Sequence, residues 1–170
     1  EYSFDAGIPN GVPTVSKDTL ESLKSIDHVE GVTLYRSRQS YQAIFRNNTS
    51  LDGGYIMGVN QDYFSIAGLT IKQGRGITED DNKKFRQVAV LDETSAKLLF
   101  GEENPIGKTI EISSTPFTIV GVCADKETFE PTMESIDDYH TYNQSTGSKV
   151  YVPSESWPIF YQFDEPQNAL

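Results

Sequence analysis

Residues 87–122 read QVAVLDETSAKLLFGEENPIGKTIEISSTPFTIVGV, and this stretch decides the fold class. Val88, Ala89, Val90 and Leu91 form a short apolar run of strand length. Asp92 follows as a helix N-cap, its carboxylate suited to the free N–H groups of a first turn. The helix runs through Ala96, Leu98, Leu99 and Phe100 and closes at Gly101, the residue type that most readily turns left-handed past a helix end. Pro105, Ile106 and Gly107 lead into a strand from Lys108 to Ile112. Ser113 to Pro116 make a hairpin turn, and Phe117 to Val122 runs back. Ile110 and Ile112 alternate onto one face, as do Phe117, Ile119 and Gly121. A strand, a helix and a hairpin in this order predict an α+β domain with a mixed sheet and short helices. Phe64, Val90, Leu99, Phe100 and Ile119 are expected to share one core.

Upstream, Glu1 to Pro13 is an irregular lead-in punctuated by Gly7, Pro9, Gly11 and Pro13. Ser16 caps a helix with Leu20 and Leu23 on one stripe, extended toward Ile26 or Val29 and stopped by Gly31. Thr33 to Phe45 alternates with a period of two, placing Thr33, Tyr35, Tyr41, Ala43 and Phe45 on one face. A long turn through Asn47 and Gly54 precedes a strand from Tyr55 to Val59. Asn60 or Asp62 caps a short helical turn that ends at Gly68 and buries Tyr63, Phe64, Ile66 and Leu69. Gly74-Arg75-Gly76 lacks the Lys-Ser/Thr pair of a phosphate loop and any G-x-G-x-x-G frame, so its glycines read as a tight corner. Thr78 with Asp81 resembles a capping box carrying Asp in place of Glu or Gln.

Composition narrows the function. The chain has 170 residues, and Val, Ile, Leu and Phe make up about a quarter of them, above the roughly one-fifth level below which disorder is the default. Net charge is −11, from 25 acids against 14 Lys plus Arg, with no basic stripe for a phosphate backbone. Nucleic acid is excluded as a partner. No apolar run reaches the roughly 18 residues of a membrane helix, and no secretory leader is visible. Cys123 stands alone in an apolar run and reads as a small buried hydrophobe.

Five blocks together resemble a known family. They are Gly58, Val59, Tyr63 and Phe64; Gly74, Arg75, Thr78 and Asp81; Ala96, Leu99, Phe100 and Gly101 with Pro105, Ile106, Gly107 and Lys108; Val120, Gly121 and Val122; and Tyr151, Val152 and Pro153. In this order the chain resembles the extracytoplasmic core domain of MacB-like, FtsX-type ABC transporter permeases over about residues 14–153. The resemblance implies a porter-like βαβ part over residues 1–60, a Sabre-like α/β lobe over 61–153 and a tail over 154–170. A second βαβ segment normally follows the closing strand in that family, and only Ser154 to Leu170 follow here.

By that resemblance the domain is not an enzyme and needs no cofactor. It sits on the outer face of a bacterial membrane and passes on motion driven by a separate ABC ATPase. Its expected partners are that ATPase, a membrane-fusion-type adaptor and a second permease subunit. The expected work is export of peptides, antibiotics or lipoproteins, or control of wall hydrolases.

Other functions meet less support. A hydrolase needs a base, and the histidines are His28, past a helix end, and His140, in a loop. Ser16, Ser65 and Ser95 are accounted for by helix starts and surfaces. Glu134, Asp137, Asp138 and His140 could hold a metal only on an acidic loop. The alternatives are a carbohydrate- or wall-binding module, suggested by Tyr139, Tyr142, Trp157, Phe160, Tyr161 and Phe163, or a small-ligand sensor. The segment from Asp125 to Asp138 interrupts the family match. Its apolar Phe129, Met133 and Ile136 stand among Glu127, Glu130 and Glu134. That pattern marks it as the expected partner interface, with apolar anchors inside an acidic rim.

Overall fold

All five residues of Val88–Asp92 are buried, which is how a strand reads when both faces of its sheet are covered. The computed structural model describes residues 17–39, 44–51, 53–124, 148–157 and 168–169. The helices are α1 (Lys17–Lys24), α2 (Tyr63–Ile66), α3 (Glu79–Lys83) and α4 (Glu93–Phe100). The strands are β1 (Leu34–Gln39), β2 (Ile44–Arg46), β3 (Thr49–Ser50), β4 (Tyr55–Val59) and β5 (Ile71–Gly74). They continue as β6 (Val88–Asp92), β7 (Thr109–Ile112), β8 (Thr115–Cys123), β9 (Lys149–Pro153) and β10 (Asn168–Ala169). One mixed sheet joins them in the order β10-β1-β4-β9-β6-β8-β7-β2-β3, with β5 added on β8. The α+β expectation holds.

β6 is the central strand, parallel to β8 and antiparallel to β9. Its alternation splits the interior in two. Ala89 and Leu91 join Leu99, Phe100, Ile110, Ile112, Phe117, Ile119, Val150 and Val152 on one face. Val88 and Val90 join Met57, Val59, Tyr63, Phe64, Cys123 and Tyr151 on the other. The single core expected from the sequence is therefore two. Phe100, Leu99 and Ile119 pack together, while Val90 and Phe64 lie across the sheet, because successive side chains of a strand point to opposite faces.

Strand β8 organises the far side of β6. One of its edges pairs with β6, and the other is shared by β7 along Thr115–Thr118 and β5 along Gly121–Cys123. The β5 end of this edge is a very close approach. Gly74, at φ +68°, pairs with Gly121, and the Arg75 N–H donates to the Val120 carbonyl at 2.9 Å. A Cβ on Gly74 would stand 2.2 Å from the Val120 oxygen, and one on Gly121 would stand 2.1 Å from the Arg75 oxygen. Only two glycines fit, and the two motifs that contain them are partners in space.

The β7–β8 hairpin closes through Ser113 and Ser114, at φ +55° and +64°. This is the mirror-image turn whose twist suits a two-residue hairpin. Thr115 and Pro116 thus belong to β8 and not to the turn. α4 begins and ends as expected: Asp92 accepts from the Ser95 N–H at 2.7 Å, and Gly101 takes φ +60°. Arg46 of β2 covers the helix end, donating to the Leu99 carbonyl at 3.0 Å with its guanidinium 4.0 Å from the Phe100 ring centre.

Two expectations shift. α1 stops at Lys24, leaving Ile26 and Val29 exposed instead of extending its stripe. The alternation of residues 33–45 is not one strand. β1 ends at Gln39, and β2 pairs with β7, burying Ile44 and leaving Phe45 exposed. Ser16, Tyr41 and Ala43 lie outside the described residues.

Two substitutions probe this architecture. Phe100→Ala removes a buried ring and the platform for Arg46, and is expected to cost roughly 3–5 kcal/mol in denaturant unfolding. Gly121→Ala should cost roughly 3 kcal/mol, because its neighbour is backbone and cannot move aside. A Gly121→Ala protein that unfolds like the wild type would refute the close β5–β8 approach.

Candidate functional site

Asp92 ends β6 and holds both sides of the acidic segment. One carboxylate oxygen caps α4 through Ser95, and the other accepts from the Lys149 N–H at 2.6 Å, at the first residue of β9. Asp92 also pairs in register with Cys123, the last residue of β8. The next residue, Ala124, donates its N–H to the Thr70 carbonyl at 2.7 Å, and the Tyr55 N–H donates to the Ser148 carbonyl at 2.7 Å. Ala124, the last described residue before the acidic segment, and Ser148, the first described after it, thus lie beside the same end of β6. Glu127, Phe129, Glu130, Met133, Glu134 and Ile136 lie outside the described residues. The anchorage of both feet, which the sequence did not announce, is clear. Its signal was Asp92, read from sequence only as a cap.

The Gly74–Asp81 corner is a knot of charge. Arg75 makes a forked pair with Asp81, at 2.6 Å to Oδ2 and 3.1 Å to Oδ1. The Thr78 N–H and hydroxyl both donate to Asp81 Oδ2, at 2.9 and 2.7 Å, and the Asp81 N–H returns to the Thr78 hydroxyl. This is the capping box expected from the sequence, with a shorter acid made sufficient by the arginine. The Asp81 carboxylate is fully enclosed. It is a structural clasp: the corner closes on the protein's own carboxylate and leaves no cradle for a phosphate.

Other reactive groups are also engaged. Ser65 donates to the Asp62 carbonyl at 2.9 Å and Ser95 to the Lys149 carbonyl at 3.2 Å. Tyr63 packs among Tyr35, Phe64 and Tyr151. Burial, with the Tyr35 hydroxyl and the Cys123 thiol nearby, pushes its phenol up to about 12, so it stays neutral. Trp157 is buried beneath Arg38, its ring against Gly58, and offers no stacking surface to a sugar. Tyr139, His140, Tyr142, Phe160, Tyr161 and Phe163 lie outside the described residues. No group of three or more His, Cys, Asp or Glu side chains converges among the described residues. An open depression of about 530 Å³ lies between His28–Gly31 and Ser65–Ile66.

Burial raises the Asp81 carboxyl, but the hydrogen bonds from Arg75 and Thr78 and the guanidinium charge together outweigh it, so it ionises below its ordinary range. A carboxyl lowered in this way stabilises the fold above its unfolded value of about 4 and loses that contribution as pH falls through its folded value. Asp81→Asn is expected to cost roughly 1–3 kcal/mol at neutral pH. Thermal melts should show the gap from wild type closing as pH falls below about 4. A gap that stays constant into acid would rule out the ion pair as its source.

The model of the MacB-like periplasmic core domain matches residues 3–169. The uncharacterised ABC transporter permease YvrN of Bacillus subtilis is 32% identical over 91% of this chain and 35% of its own length. The macrolide export ATP-binding/permease protein MacB of Aggregatibacter actinomycetemcomitans is 36% identical over 62% of this chain and 16% of its own length. The chain thus spans about a third of the first relative and about a sixth of the second. Among solved structures, the periplasmic region of MacB from Actinobacillus actinomycetemcomitans superposes with a TM-score of 0.69 at 26% identity, covering 94% of this chain and 64% of that one. The extracellular domain of the transporter YknZ, from Gram-positive bacteria, shares the fold with a TM-score of 0.68 at 20% identity, over 92% and 71%. Sequence, sheet and neighbours agree: the chain belongs to the MacB-like periplasmic core domain family of ABC transporter permeases, domains of the outer side of the membrane.

Proposed function

We propose that this chain is the non-catalytic outer domain of an ABC transporter permease, passing ATP-driven motion outward and binding an adaptor or cargo. Its partners are an ABC ATPase acting through the membrane part, a membrane-fusion-type adaptor and a second permease subunit. Relatives named for macrolide export favour antibiotics among the cargoes, beside peptides and lipoproteins. Residues 1–60 serve as the porter-like part, 61–153 as the Sabre-like lobe and 154–170 as a tail.

The observation that carries this reading is the anchorage at Asp92. A segment whose two feet are hydrogen-bonded to the end of a buried central strand is coupled to the whole sheet. A contact made by that segment is transmitted through packed β structure, which has little freedom to absorb it. The sequence of the segment supplies what a contact needs, with Phe129, Met133 and Ile136 as apolar anchors and Glu127, Glu130 and Glu134 as the rim.

Replacing Glu127, Glu130 and Glu134 together by Gln is expected to slow association with the adaptor by roughly tenfold at low salt and to flatten its salt dependence, since rim charges act mainly on the on-rate. The melting temperature should not move. Association rates and export both unchanged after removing the segment would reduce it to a solvated loop.

A further inference from the structure

No further inference is drawn: the strongest candidate, the exposed Phe85 ring held at φ +51° on the corner between α3 and β6, stands among Lys83, Lys84 and Arg86, whose charges already pair with Glu79, Asp80 and Asp81, and nothing in the structure shows what covers it.

Discussion

The structure depends most on one carboxylate with two backbone partners. Asp92 offers two acceptor oxygens and no donor, and it meets two N–H groups, of Ser95 and Lys149. One bond starts the helix that covers the first core. The other brings β9 back beside β6 after the acidic segment. An amide in its place would turn a donor toward one of those N–H groups, leaving a buried pair without a bond. Because Lys149 opens a strand that pairs with both β6 and β4, the same contact fixes how the first third of the chain meets the rest.

A second constraint ties two of the sequence blocks together in space. Gly74 and Gly121 are far apart in sequence, yet each exists to make room for the backbone of the other block. Once they meet, Arg75 donates along β8 through its own N–H and closes over Asp81 through its side chain. Asp81 in turn needs Thr78 to complete its hydrogen bonds. Five motif residues, Gly74, Arg75, Thr78, Asp81 and Gly121, therefore share one job, which is to hold β5 and α3 on the edge of β8. That job is mechanical. It accounts for the Gly74-Arg75-Gly76 corner, whose cation is met by the protein's own carboxylate.

Local signals in the sequence were legible where the chemistry is local. The caps at Asp92 and Thr78 and the stop at Gly101 all fall where side chain and backbone interact within a few residues. What the sequence hid is non-local. β5 pairs with β8 with only Ile71 half-buried and Lys72–Gly74 exposed, so its Ile71–Gly74 run carries no strong alternation. The division of the core follows from which face of β6 each partner reaches, and a list of apolar residues holds no record of faces. The alternation from Thr33 to Phe45 misled because two strands with different partners happen to be consecutive. The expected interface at residues 127–136 lies outside the described residues, while its anchorage at Asp92 lies within them and needed the fold to be seen.

β6 sets the scale on which these parts act. Five residues of strand span roughly 17 Å. One end carries Asp92 and the feet of the acidic segment, and the other leads back to Arg86 and the exposed Phe85. Between them every side chain is buried, with core on both faces and a strand on each side. Bending such a strand would open both cores at once, whereas tilting it as a unit disturbs neither. A displacement at one end is therefore most cheaply relayed to the other as a rotation of the whole sheet. A stiff central strand with distinct chemistry at its two ends suits the proposed role of carrying motion.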